Sequence, residues 1–284
     1  MNMMYPEWKT VAVQGAAGSY GHMAAMGACA GAEPRFFATF EDTFAAVEAG
    51  EVDGAAIPIE NSTMGRIPDI HRILPTTPLH IVGEYFQPVH HCLLGVPGAR
   101  LEGVTEAYSQ LPALAQCRET LKRMNIRPVA WADTAGAADM VAKEGNPAKA
   151  AVASRMAAGV YGLEVLKDPL NDAAHNTTRF VLFGRQAAVP PAGAPVRTSL
   201  MFRTRDLPAA LYKALGGFAT NGINLSKIES YILDGAFETA QFYAECDGRM
   251  GTLPMENALE ELRFYSHFVR VLGCYAQASV PIKN

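Results

Sequence analysis

Residues 186–196, Gln-Ala-Ala-Val-Pro-Pro-Ala-Gly-Ala-Pro-Val, divide the chain into two stretches that follow different rules. Prolines this dense, with a glycine among them, favour an extended connector over a packed element. Ahead of the connector, strand and helix patterns alternate. Thr10–Gln14 reads as a strand, Gly15–Gly21 as a glycine turn, and an Ala/Met-rich helix starts at His22. Helix Phe40–Ala49, strand Gly54–Ile59, a helix near Pro68–Leu74 and strand Leu79–Glu84 follow. Next come an apolar run Cys92–Gly95, strand Gly103–Ala107, helix Pro112–Met124 and strand Val129–Trp131. Helix Thr134–Glu144, strand Ala150–Ala153, a helix through Tyr161 and strand Val181–Phe183 complete the series. The alternation predicts an α/β architecture with a largely parallel sheet system and helices on its faces.

Beyond the connector the rhythm changes. Strand Thr198–Arg203, an amphipathic helix Leu207–Thr220, strands Ile223–Leu233 and Phe237–Cys246 around an Asp-Gly turn, helix Pro254–Phe264 and strand Phe268–Tyr275 give the order βαββαβ. That order predicts the split ferredoxin-like arrangement, a four-stranded antiparallel sheet with two helices on one face. The expected domains are 8–185 and 197–284, with 186–196 as linker.

Bulk properties exclude several classes. Hydrophobic residues at 49% against 18% charged argue for a globular chain. A net charge of −4 without a Lys/Arg cluster gives nucleic acid no footprint. Five scattered cysteines, without metal-ligand spacing, indicate neither a zinc site nor a disulfide framework. No signal peptide and no apolar run of membrane-spanning length is apparent, so a cytoplasmic protein is expected.

Two polar segments stand out because no fold requires them. Strand Ala55–Ile59 ends in Glu60-Asn61-Ser62, and Asn176-Thr177-Thr178-Arg179-Phe180 opens the strand that closes the first domain. Either segment alone reads as an ordinary cap. Together, at strand ends in one α/β domain, they suggest a pocket for a small polar anion, walled by Thr178, Arg179, Glu60, Asn61 and Ser62. Gly15-x-x-Gly18-x-x-Gly21 is not a dinucleotide fingerprint, since its second glycine is misplaced. It is either a plain helix-start turn or a place where Gly18 turns the chain while Ser19 and free helix N–H groups face an anion.

Tyr108-Ser109-x-x-x-Ala113-Leu114-Ala115-Gln116-Cys117, Glu60-Asn61-Ser62 and Asn176-x-Thr178-Arg179-Phe180, in this spacing, resemble prephenate dehydratase. Gly18-Ser19, Gly83-Glu84, His91-Cys92-Leu93-Leu94 and Tyr161-Gly162-Leu163 strengthen the resemblance. The tail, through Gly222-Ile223-Asn224-Leu225-Ser226-Lys227-Ile228-Glu229-Ser230, is similar to the family's ACT regulatory domain. The resemblance implies a two-lobed catalytic domain shaped like a periplasmic solute-binding protein, in the monofunctional form. It implies decarboxylating dehydration of prephenate to phenylpyruvate, a homodimer or homotetramer, and feedback by L-phenylalanine. The implied effector residues are Ala209, Ala210, Leu211, Asn224, Leu225, Ser226, Glu229 and Ser230. Three motifs depart: Ser109-Gln110-Leu111-Pro112 stands for Ser-His-Pro-Gln, Glu229-Ser230-Tyr231-Ile232 for Glu-Ser-Arg-Pro, and Ala209-Ala210-Leu211-Tyr212 for Gly-Ala-Leu-Val.

For prephenate, aromatisation drives the reaction, so neither metal nor redox cofactor is implied. Thr178 matches the family's catalytic threonine and is expected to donate to the departing hydroxyl. Arg179 is expected at the pyruvyl carboxylate, directly or by holding the loop, because pairing with the carboxylate lost as carbon dioxide would stabilise the ground state. Glu60 either carries a proton, its pKa raised by burial, or orients Asn61. Gln116 and Ser109 are expected to add neutral hydrogen bonds from the second lobe, and Gly18, Ser19, Asn176 and Phe180 to line the substrate site. Arogenate dehydratase and a non-catalytic amino-acid or solute sensor remain as alternatives.

Overall fold

Valine and alanine carry the first sheet. In strand Thr10–Gln14 the residues Val11, Ala12 and Val13 are all fully buried, as in a strand covered on both faces. It runs parallel to Glu33–Phe37 on one side and Gly54–Asn61 on the other. The sheet continues through Thr177–Gly184 to His80–Pro88. A short return strand, Gly65–Arg66, pairs antiparallel with the end of Gly54–Asn61 and sets Arg66 opposite Glu60. The computed structural model describes residues 6–173, 175–233 and 236–279.

The second sheet has the order Glu164–Lys167, Cys92–Gly95, Lys149–Ala153, Glu106–Ser109, Arg127–Ala130. Glu106–Ser109 is parallel to both neighbours, but Cys92–Gly95 runs antiparallel to both of its own. This sheet is mixed, which corrects the expectation of a largely parallel system. Strands Glu33–Phe37 and Glu164–Lys167 escaped the sequence reading because both are sheet edges that bury no side chain fully, so they lack an apolar signature. The helix expected over Pro112–Met124 is two helices, Leu111–Ala115 and Arg118–Arg123, with Gln116 and Cys117 in the break. The chain passes between the two sheets at residues 89–91 and again between Lys167 and Thr177. The crossings are tied by Val89 N–H to the Asn176 carbonyl and Leu170 N–H to the His91 carbonyl, each 2.8 Å.

After residue 195 the order is strand Val196–Thr204, helix Ala210–Thr220, strands Leu225–Leu233 and Ala236–Cys246, helix Leu253–Phe264 and strand Ser266–Ala276. The four strands form an antiparallel sheet in the order second, third, first, fourth. Its core gathers Leu200, Phe202, Phe218, Leu259 and Leu262. The Asp-Gly turn of the sequence reading lies outside the described residues.

Packing divides the chain into two compact units. One holds Glu7–Ile70 and Tyr85–Val181, and the other holds His71–Glu84 and Leu182–Ser279. Residues 71–84 are built into the second unit. Arg270 donates to the carbonyls of Leu74, Pro75 and Leu79, each at 3.2 Å. Glu84, 1% exposed, accepts from Arg197 at 3.1 Å and from the Ala278 N–H at 3.0 Å. His71 stacks on Tyr231 with ring centroids 4.3 Å apart. Gly273 is the point of closest approach, because a Cβ there would overlap the main-chain carbonyl of Ile81. Main chain cannot yield as a flexible side chain does, and overpacking costs about 1–3 kcal/mol. Gly273→Ala is therefore expected to lower the thermal midpoint by several degrees, measured by differential scanning calorimetry.

Candidate active site

The hairpin at residues 61–66 starts from Asn61, whose side-chain oxygen accepts from the N–H of Thr63 at 2.9 Å, the N–H of Met64 at 3.0 Å and the Thr63 hydroxyl at 2.7 Å. Two main-chain donors on one oxygen settle which way the amide faces, a local turn typical of asparagine. The Asn61 Nδ2 group is thereby turned the other way. It donates to Asn176 Oδ1 at 2.8 Å and to Thr178 Oγ1 at 2.9 Å.

A ring of side chains follows. Asn176 Nδ2 donates to Gln116 Oε1 at 2.8 Å, Gln116 Nε2 donates to Thr63 Oγ1 at 2.9 Å, and Thr63 closes the ring on Asn61. Gln116 comes from the helix break beside the second sheet, Asn61, Thr63 and Thr178 from the first, and Asn176 from a crossing. Gln116 Oε1 also meets His91 Nε2 at 2.8 Å, and His91 Nδ1 lies 3.0 Å from the Tyr20 hydroxyl. Buried polar groups satisfied in this way hold a single arrangement. Thr178, 8% exposed, accepts from Asn61, while its own O–H has no acceptor among the described residues.

A cavity of about 480 Å³ opens over this ring, lined by Ser19, Tyr20, Asn61, Arg66, His91, Gln116, Thr178 and Phe180 among others. Arg66 is the only guanidinium or ammonium among its described lining residues, with Asp69 and Asp133 as the carboxylates. Several expected wall residues lie elsewhere. Arg179 is 3% exposed and donates to Glu60 at 2.9 Å, and neither is among the residues that line the cavity. Strand alternation explains it, because Thr178 and Phe180 take the cavity face and Arg179 the opposite one. The reading of Glu60 as a protonated wall residue gives way to a carboxylate paired with a guanidinium. Ser62 is pinned to Thr177 by its N–H and hydroxyl, both at 2.9 Å. Ser109 is fully buried and donates to the Val152 carbonyl at 2.7 Å. Gly18, at φ +82°, lies against Ala157, where a Cβ would come within 2.8 Å of main chain. Ser19 lines the cavity but accepts the His22 N–H at 3.2 Å as a helix cap.

Tyr20, Thr63, Arg66 and His91 escaped the sequence reading as site residues. For Arg66 a signal existed, since Gly65 one residue earlier permits the hairpin that returns it opposite Glu60.

The effector residues of the sequence reading lie in the other unit. Ala209 precedes helix Ala210–Thr220 at φ 59°, the left-handed conformation in which glycine carries no penalty. Ala210 is buried, and Leu211 packs on the core. Asn224 donates to Asp247 at 3.1 Å and Ser226 to the Glu245 carbonyl at 3.4 Å. Leu225 is half-buried and Ser230 exposed. Glu229 pairs with Lys227 at 3.2 Å and accepts from the Tyr231 hydroxyl at 2.6 Å.

Burial lowers the His91 imidazole to about 4 and raises the Tyr20 phenol well above its ordinary range, so both are neutral near pH 7. The folded imidazole titrates near 4 and an unfolded one near 6.5, so between these values the unfolded chain holds the extra proton. The stability tied to neutral His91 is complete above pH 6.5 and is lost as pH falls from 6.5 towards 4, on the order of 3 kcal/mol in all. Urea midpoints are expected to fall over that window in the wild type and less steeply in His91→Gln.

The profile of the prephenate dehydratase family matches residues 11–188. The chain is 44% identical to a bifunctional N-acyl-homoserine lactone acylase/prephenate dehydratase of Komagataeibacter europaeus, over 94% of this chain and 95% of that protein. It is 37% identical to the chloroplastic arogenate dehydratase/prephenate dehydratase 1 of Arabidopsis thaliana, over 93% of this chain and 71% of that one. The crystal structure of an Arthrobacter aurescens prephenate dehydratase in complex with L-Phe superposes with a TM-score of 0.85 at 30% identity, covering 94% of this chain and 89% of that one. With a family match that takes in every residue of the ring and its cavity, the chain belongs to the prephenate dehydratases, enzymes of the carbon–oxygen lyase class.

Proposed function

We propose that the protein removes water and carbon dioxide from prephenate to give phenylpyruvate. The observation that carries this reading is the direction of the Asn61–Thr178 bond. Because Thr178 Oγ1 accepts from an amide, its own hydrogen is free to meet a hydroxyl leaving from a substrate in the cavity. A threonine is too weak an acid to give up that proton outright. It stabilises the oxygen as charge develops there, and a preorganised donor of this kind is worth about 10²–10³ in kcat. An amide donor beside the hydroxyl also sets it apart from an activated nucleophile, which needs a base as its neighbour. The acylase activity in the name of the Komagataeibacter relative therefore gains no support from Thr178.

Arg66 replaces Arg179 in the anion-binding role, anchoring the carboxylate whose charge survives the reaction. Arg179, through Glu60, holds Thr178 and Asn61 on adjacent strands. Arogenate, with an amine in place of the side-chain keto group, offers the same leaving hydroxyl, and Asp69 and Asp133 on the wall favour it as a second substrate. Thr178→Val is expected to lower kcat by about 10²–10³ with little change in KM. Arg66→Met is expected to raise KM far more than it lowers kcat. Steady-state kinetics with prephenate and arogenate checks both, and a Thr178→Val enzyme with unchanged kcat would overturn the mechanism.

Residues 8–185 then form the catalytic domain and 197–284 an ACT-type regulatory domain that binds L-phenylalanine in a homo-oligomer, with 186–196 as linker. Support comes from the βαββαβ order and from the Arthrobacter relative, whose structure is a complex with L-Phe. Added L-phenylalanine is expected to inhibit turnover, and inhibition curves on the purified protein measure it.

A further inference from the structure

The hydrogen-bond ring fixes more than its own members. Asn61 is locked by the main-chain donors of Thr63 and Met64, so it presents N–H to Asn176. Asn176 must then present oxygen to Asn61 and N–H to Gln116. Gln116 must in turn present its oxygen to both Asn176 and His91. An oxygen facing His91 Nε2 at 2.8 Å requires that this nitrogen carry the proton. In the neutral ring Nδ1 is then bare, and the one hydrogen of the Tyr20 hydroxyl has two acceptors within reach, the His90 carbonyl at 2.8 Å and His91 Nδ1 at 3.0 Å.

We infer that His91 is a positioning residue, held in the Nε2–H tautomer, whose hydrogen bond to Gln116 keeps the second sheet's contribution to the ring in register and so holds Thr178 aimed at the substrate. His91 is suited to this because it sits on one of the two crossings between the sheets, its own main chain bonded to the other through Asn171 Oδ1 at 2.6 Å and Leu170 N–H at 2.8 Å. Gln116, by contrast, stands in a break between two short helices, without regular structure to fix its side chain. The inference rests on the dehydratase reading for its kinetic consequence but not for its geometry.

Two measurements test it. Two-bond proton–nitrogen correlation spectra of the wild-type protein, labelled with ¹⁵N-histidine, are expected at pH 7 to show one imidazole, absent from His91→Gln, as the Nε2–H tautomer. The Nδ1–H tautomer or an imidazolium there would overturn the proposal. In kinetics, His91→Phe keeps a ring but removes the donor, and is expected to lower kcat about tenfold with KM nearly unchanged, the effect of one ordering hydrogen bond. His91→Gln returns an N–H near the Nε2 position and is expected to recover most of that loss. Equal losses in the two variants, or no loss in His91→Phe with its fold retained, would also overturn it. Should the wild type turn over neither prephenate nor arogenate, the dehydratase reading fails, and the spectra alone still decide the tautomer.

Discussion

The side chain of Asn61 faces two ways, and the site depends on that division. Its oxygen is occupied by the turn that makes the 61–66 hairpin, and its nitrogen is thereby committed to Asn176 and Thr178. A folding requirement and a chemical requirement meet in one amide. An aspartate here could serve the turn but would present an acceptor where Thr178 needs a donor nearby, and Thr178 would then give its hydrogen to the carboxylate. The polarity of the hydroxyl is thus set by local backbone geometry before any substrate arrives.

The Glu60–Arg179 pair serves the same end by a different route. It ties neighbouring strands outside the cavity lining, where a guanidinium 3% exposed stays with its carboxylate partner. Charge is spent on alignment there, while the cavity face of the same strand carries neutral groups. This fits a reaction in which one substrate carboxylate must remain free to leave, because a fixed cation beside it would stabilise the starting state.

Much of this was legible in the sequence where signals are local. Fully buried Val11–Val13 and the βαββαβ tail announce themselves by pattern, and Asn61, Gln116, Asn176 and Thr178 by resemblance. Of the two placements the sequence leaves open for Arg179, direct contact or holding the loop, strand alternation favours the second, because it separates Arg179 from Thr178 and Phe180. Ser109 has a polar side chain that a neighbouring carbonyl absorbs, and a sequence does not display carbonyls. His91 was hidden for a similar reason, since its part in the site comes from bonds to Gln116 and Tyr20, far apart in sequence. Edge strands with little burial had no pattern to read.

The placement of residues 71–84 inside the C-terminal unit bears on how the chain is made. During synthesis this segment leaves the ribosome long before Arg197, Arg270 and Gly273 exist to receive it. Until they do, the Glu84 carboxylate has none of the Arg197 and Ala278 donors that hold it at 1% exposure, and the carbonyls of Leu74, Pro75 and Leu79 have no Arg270. Strand His80–Pro88 has its sheet neighbour, Thr177–Gly184, before the connector is made, but the packing of residues 71–84 waits for the end of the polypeptide, a long-range closure of the kind that slows folding. A nascent chain halted in the proline-rich connector would carry this segment unsheltered, an apolar edge open to chaperone and protease alike.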